Sequence, residues 1–356
     1  MKISGVQKNK LLQSIKLGFI GVAVSIVLII LFQQQKISIE ISLLGFTIGF
    51  MIGLFEYFIS QPKLRKIIFP LAILLRSTVY ALIIILSVAL LASIKLSFVN
   101  QCSLFEAFGD QNFFEFIVDS NLHLVLAVLI VLSFLINFIL QINQLLGPGV
   151  LVNYLIGKYH KPKPEERIFL FLDLNSSTSI AEKLGTEKYS SYLKDFFSDI
   201  TEPLLKTYGQ VFQYVGDEVV VVWNVKDGLR NNNVLRFFFY VEECINRNKD
   251  KYLSKYGIIP EFKAGIHFGE TLITEVGDIK REIVYHGDLV NTASRIRSAC
   301  HTAKRKVLIS DTLLNKLDHE KEFQFEDMGA FKLKGKKYDI NLFSVELKNN
   351  FQNRLC

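Results

Sequence analysis

The sequence predicts an α+β protein: a ferredoxin-like domain preceded by an α-helical membrane domain of four spans. Three observations lead there. Half of the 356 residues are hydrophobic, and the excess is concentrated before residue 150. From residue 167 onward, apolar runs and helical stretches follow the order strand, helix, strand, strand, helix, strand, which is that of a ferredoxin-like sheet with helices on one face. Within that half, residues 213–223 read Q-Y-V-G-D-E-V-V-V-V-W, two apolar runs around a Gly-Asp step, as in a tight β-hairpin.

The membrane half comes first. Residues 17–32 are apolar and uncharged and follow Lys2, Lys8, Lys10 and Lys16. This span is long for a signal peptide, lacks a clear small-residue cleavage site, and is soon followed by others. After a polar break at 33–40, a second span covers 41–59, with Glu56 near its end. The third apolar region, 67–94, exceeds the roughly 20 residues that a span requires. Its crossing part is placed at 73–94, with Arg76 near the cytoplasmic end, where its side chain can reach the interface. The alternative is that Arg76 is a buried functional charge. A fourth span covers 122–140.

Lysine and arginine at the N-terminus and in the 61–66 loop place both on the cytoplasmic side. The segment 95–121 carries Glu106, Asp110, Glu115 and Asp119 against one lysine and therefore faces outward. Its phenylalanines, Phe105, Phe108, Phe113, Phe114 and Phe116, fit a loop packed on the bundle, an amphipathic lid at the membrane surface or part of a sensor. The chain thus returns to the cytoplasm before residue 150, an arrangement suited to a bacterial inner membrane. The net charge of +7 goes with this topology rather than with nucleic acid. Cys102, Cys244, Cys300 and Cys356 are scattered, in neither a zinc pattern nor a disulfide framework.

The membrane domain is assigned to 1–140, a linker to 141–166, the soluble domain to 167–347 and a tail to 348–356. The linker holds Gly147-Pro148-Gly149, an apolar stretch to Tyr159, then Pro162 and Pro164; it is either a transmitter of motion or a plain tether. In the soluble domain, strands are expected at 168–172, 210–215, 218–224, 262–268 and 307–309. Helices are expected at 177–208, 234–254 and 290–302, and a hairpin at Gly277-Asp278.

Two acids stand at strand ends: Asp173 closes one apolar run and Asp217 sits at the hairpin tip. Meeting across adjacent strands, they could hold Mg²⁺, which takes carboxylate oxygens and leaves room for phosphates. Taken singly, Asp173 also reads as a helix N-cap and Asp217 as a turn former. Ser177 and Thr178 lie where a helix N-terminus would offer amides to phosphate, or serve as ordinary caps. Asn291 and Arg295, four residues apart, share one helix face. An amide beside a guanidinium suits an anionic sugar-phosphate transition state, and equally describes two surface residues. Lys334 belongs to the basic strand-turn segment 331–337, which reads as a triphosphate holder or a solvated face.

Four motifs in order resemble the class III adenylate/guanylate cyclase catalytic domain over 167–347: F-L-D-L-N-S-S-T at 171–178, Y-V-G-D-E at 214–218, G-I-H-F-G-E at 265–270 and G-D-L-V-N-T-A-S-R at 287–295. The resemblance implies that Asp173 and Asp217, with Leu174, bind two Mg²⁺ or Mn²⁺ ions. It implies that Asn291 orients the ribose, that Arg295 stabilises charge on the phosphoryl oxygens, and that Lys334, Ser177 and Thr178 contact the phosphates. It further implies a homodimer whose two sites each take the acids from one chain and the Asn, Arg and Lys from the other. The base-selecting positions depart from the family pattern. Where its adenylate members usually carry Lys and Asp or Thr, this chain has Gln213 and Val284, and the guanylate pair Glu and Cys is also absent. Gln213 can both donate and accept at a purine edge, whereas Val284 offers shape alone. The expected reaction is conversion of ATP to 3′,5′-cyclic AMP and pyrophosphate, with a guanylate or mixed-specificity cyclase, or a catalytically silent signalling module, as alternatives. A diguanylate cyclase would need Gly-Gly-Asp/Glu-Glu-Phe where this chain has Val215-Gly-Asp-Glu-Val219, and a transporter would need a path of polar groups, of which the spans carry few.

Overall fold

The computed structural model describes residues 5–31, 39–60, 67–118, 120–147, 149–318, 322–336 and 338–348. The basic loop at 61–66, most of the polar break at 33–40 and most of the tail at 348–356 lie outside the described residues. The chain divides into two compact units, Met1–Leu145 and Leu146–Cys356.

The first unit is helical. Its long helices are Gly5–Leu31, Ile39–Leu54, Phe69–Asn100 and Ser120–Leu146, and a π-helical turn, Phe55–Ser60, continues the second. Among the described residues two stretches are long and apolar enough to cross a membrane, Phe69–Asn100 and Leu126–Asn143, while Ser14–Val27 and Ile41–Leu54 are shorter apolar stretches. On Phe69–Asn100, Leu74, Leu82, Leu86 and Leu90 are exposed, an apolar surface that lipid would satisfy and water would not. The first two helices pack closely through small residues: a Cβ added at Gly21 would lie 2.0 Å from the Gly45 carbonyl oxygen.

Arg76 does not extend toward a helix end. It is 5% exposed and pairs with Glu56 at 3.6 Å, and Tyr80 Oη donates to Glu56 Oε2 at 2.9 Å. A buried charge of this kind persists because a partner neutralises it. Asn137 is also buried and donates to Ser77 Oγ and to the Ile73 carbonyl. The segment expected as an outer loop folds into two short helices, Leu104–Phe108 and Gln111–Val118, the first opened by a reciprocal Ser103–Glu106 capping box.

The second unit is built on one sheet. Its strands are β1 Lys163–Leu174, β2 Gln210–Val215, β3 Glu218–Asn224, β4 Phe262–Val276, β5 Glu282–His286, β6 Val307–Ser310, β7 Phe323–Phe331 and β8 Ile340–Leu347. The order is β2-β3-β1-β4-β6-β8-β7, with β5 paired to β4. The four strands β2-β3-β1-β4 are antiparallel neighbours, as a ferredoxin-like core requires.

Helices cover both faces, not one. Ile168, Leu170 and Leu172 pack with Phe196, Phe237 and Tyr252 from the helices Thr186–Asp199, Asn233–Arg247 and Lys249–Tyr256. Phe169 and Phe171 point the other way and pack with Leu289 and Ala293 of the helix Asp288–Ala303. The cause is in the strand itself: 168–172 is an unbroken apolar run, the pattern of a strand buried on two sides.

β1 begins earlier than its apolar run, at Lys163, because residues 163–166 pair with the far end of a long β4. Pro164 fits there: the β3 pairing starts only at Arg167, so this stretch has β4 on one side alone. The single helix expected over 177–208 is three, Ser177–Leu184, Thr186–Asp199 and Thr201–Thr207. Gly185, with φ of 72°, ends the first. The helix expected over 234–254 is likewise interrupted at Asn248.

Candidate active site

The register of the central strands places the acids. Asp173, the penultimate residue of β1, is the cross-strand partner of Glu218, the first residue of β3. Asp217 precedes Glu218 in the two-residue turn, where Gly216 takes φ of 62° and lets the hairpin close. Asp173, Asp217 and Glu218 therefore gather at one edge of the β1–β3 ladder. Leu174 ends β1 with its hydrocarbon side chain buried in the core, and its backbone carbonyl is the one oxygen it can offer.

Two cations answer the three carboxylates. Arg297 Nη1 lies 3.2 Å and Lys263 Nζ 3.3 Å from the same oxygen, Asp173 Oδ2. Arg297 Nη2 lies 2.7 Å from Glu218 Oε2. Burial nonetheless holds the Asp173 carboxyl above its ordinary range; Arg297 opposes that shift, Asp217 adds to it and Lys263 opposes it. Burial also pushes Glu218 up to about 6, against Arg297 and with Asp173 and Asp217. Three carboxylates thus share this corner with two cations. The hard oxygens of Asp173 and Asp217 are donors of the kind that fits a divalent cation such as Mg²⁺ or Mn²⁺.

Ser177 opens the helix Ser177–Leu184, and Thr178 is exposed beside it. The phenol of Tyr189, raised mainly by burial, also responds to Asp217, Ser177 and Asp173, which puts Tyr189 in the same corner.

A second group forms on the helix Asp288–Ala303. Asn291 is exposed and Arg295 half-buried. The turn carrying Lys334 and Gly335 closes on Arg295: a Cβ at Gly335, where φ is 74°, would lie 3.3 Å from Arg295 Nη2. Lys334 itself is exposed, while its neighbour Lys336 pairs with Asp288 at the start of the helix. Gln213 on β2 is the partner of Val220, and Val284 on β5 is the partner of Thr274. Their neighbours Phe212 and Tyr285 meet edge to face at 5.0 Å, and both pack on Phe169. The structure therefore collects Asp173, Asp217, Leu174 and Ser177 in one cluster and Arg295 with the Lys334 turn in another. Among the described residues, no ion pair joins Arg295 to Asp173 or Asp217.

Arg297, Lys263, Glu218 and Tyr189 are absent from the sequence-based set. Glu218 had a signal, its place directly after Asp217 in Y-V-G-D-E. Arg297 had a weaker one: two residues after Arg295, it is carried about 200° round the helix, toward the sheet. That approach depends on Gly265, since a Cβ there would lie 2.0 Å from the Arg297 backbone nitrogen. Gly265→Ala should accordingly push the helix off the sheet and cost about 1–3 kcal/mol, the usual scale of overpacking. A thermal melt unchanged from wild type would show that the helix gives way freely.

Sheet order, paired acids at the β1 end and the amide–guanidinium helix face together define the class III nucleotide cyclase type of catalytic domain. The model of the adenylate and guanylate cyclase catalytic domain matches residues 160–346, and the chain belongs to that family. It is 36% identical over 210 residues to adenylate cyclase 2 of Rhizobium meliloti (strain 1021), a match covering 59% of this chain and 58% of that protein. It is 26% identical over 186 residues to adenylate cyclase 1 of the same organism, covering 51% of this chain and 27% of that one. The chain thus spans little more than half of the first relative and about a quarter of the second. A bacterial light-regulated adenylyl cyclase shares the fold, with a TM-score of 0.53 at 15% identity, over 65% of this chain and 68% of that one.

Proposed function

We propose that the chain is a membrane-bound adenylate cyclase that converts ATP to 3′,5′-cyclic AMP and pyrophosphate. The observation that carries this reading is the clustering of Asp173 and Asp217 at the β1–β3 edge, in a domain that also keeps Asn291 and Arg295 on one helix face. Relatives called adenylate cyclases favour ATP over GTP.

In this reading Asp173, Asp217 and the Leu174 backbone hold Mg²⁺ or Mn²⁺, two ions in the family's pattern. When bound, such a cation polarises the phosphoryl oxygens and acidifies the ribose 3′-hydroxyl. The Asn291 amide orients the ribose so that this hydroxyl faces the α-phosphate. Arg295 takes up the charge that grows on the phosphoryl oxygens as the bond to pyrophosphate lengthens. Lys334, together with Ser177 and Thr178 at the start of their helix, holds the phosphates. Gln213 meets the purine edge, and Val284 limits the shape of the pocket. In the family's pattern, a working site takes the acids of one protomer and the Asn291, Arg295 and Lys334 group of another, in a homodimer. The membrane domain, 1–140, crosses four times and leaves the N-terminus and the domain at 167–347 on the cytoplasmic face of a bacterial inner membrane.

Product analysis tests the reading. Purified full-length protein with Mn²⁺ or Mg²⁺ should make cyclic AMP from ATP and little or no cyclic GMP from GTP. Cyclic GMP as the main product would keep the chemistry and reverse the assignment of the base. No product from either nucleotide, with folded dimeric protein, would favour a silent signalling module.

A further inference from the structure

We infer that Arg297, seconded by Lys263, is a positioning residue for the acid Asp173: the two cations hold one carboxylate oxygen and so aim the other at the cation site. This rests on the reading that Asp173 holds a divalent cation. Arg297 is not part of the Asn291–Arg295 face, and its guanidinium reaches across 124 residues of sequence to the end of β1.

The geometry supplies the reason. Arg297 and Lys263 both address Oδ2, at 3.2 and 3.3 Å, which leaves Oδ1 as the oxygen available to a metal. The two oxygens of a carboxylate are rigidly joined, so fixing one sets the direction of the other. Arg297 is itself fixed from three sides. Its Nη2 is in an ion pair with Glu218 Oε2 at 2.7 Å, its backbone lies against Gly265, and its side chain is only 23% exposed. Lying between two carboxylates in this way suits a planar guanidinium, whose two terminal nitrogens face different partners, whereas a lysine ammonium offers a single nitrogen. Lys263 arrives independently, from the β4 residue directly across from Asp173.

A simpler role, neutralising excess negative charge, predicts an effect of opposite sign. Removing a positive charge beside a metal acid should tighten cation binding if charge is all that matters. It should weaken binding if Asp173 loses its orientation; partners that orient metal ligands are typically worth about 10–100-fold in affinity.

The test is a Mn²⁺ titration of full-length protein in lipid nanodiscs, with free Mn²⁺ read by electron paramagnetic resonance. Saturable binding in wild type that is lost in Asp173→Asn identifies the site. Arg297→Gln should then weaken binding about 10–100-fold. Arg297→Lys, which keeps the charge without the fork, should weaken it as well. Binding unchanged or tightened in folded Arg297→Gln overturns the inference. If that variant fails to fold, Lys263→Gln decides by the same signs: weaker binding supports the positioning role, and equal or tighter binding overturns it. Absence of saturable Mn²⁺ binding in wild type would instead overturn the metal reading itself, and this inference with it.

Discussion

Asp217→Ala should reduce cyclase activity to background while leaving the domain folded. Asp217 stands at the hairpin tip, where burial already raises the carboxyls of Asp173 and Glu218 and its charge adds to the shift, so it is a source of repulsion. Removing it relieves that repulsion and leaves no buried partner stranded. The thermal midpoint should stay level or rise slightly. Catalysis should fall on the order of a thousandfold or more, the scale seen when a group that handles charge in phosphoryl transfer is lost. Turnover within tenfold of wild type would remove Asp217 from the site.

Arg295→Ala should be comparably inactive for a different reason. Its guanidinium acts on charge that develops only as the reaction proceeds, so kcat and kcat/KM should fall together, by about 10³–10⁵. The pair of variants also tests how the site is assembled. Asp217→Ala and Arg295→Ala chains co-expressed in one membrane should recover about a quarter of wild-type activity, since half of the random dimers are mixed and each of those has one of two sites intact. No recovery in verified mixed dimers would show that each chain completes its own site. The structure makes this a sharp question: Arg295 stands beside the Lys334 turn, whereas Asp173 is engaged by Arg297 and Lys263.

The hairpin was the most legible element, because its two apolar runs and Gly-Asp turn are local signals. Its strands, Gln210–Val215 and Glu218–Asn224, end at the expected residues. The helix breaks were less legible, although Gly185 lay in plain view as a breaker. Of the β7–β8 hairpin, the sequence suggests only a strand and turn at 331–337, not the strands on either side. β7 starts with a short apolar alternation, Phe323 and Phe325, but Glu326 and Asp327 and a register shift before Ala330 break it, so the full length of the pairing is set by β8.

By itself the sequence determined what chemistry is on offer: two acids at strand ends, an amide and a guanidinium one helical turn apart, and a basic Lys-Gly turn. These are local facts, carried by periodicity and by turn residues. The tertiary structure alone decided which charges meet. Arg76 finds Glu56 because two helices pack, and Arg297 finds Asp173 because a helix rests on Gly265 over the sheet. Coulombic and hydrogen-bonding contacts act over a few ångströms in space, and nothing in the spacing along the chain records which distant residues will come within that reach.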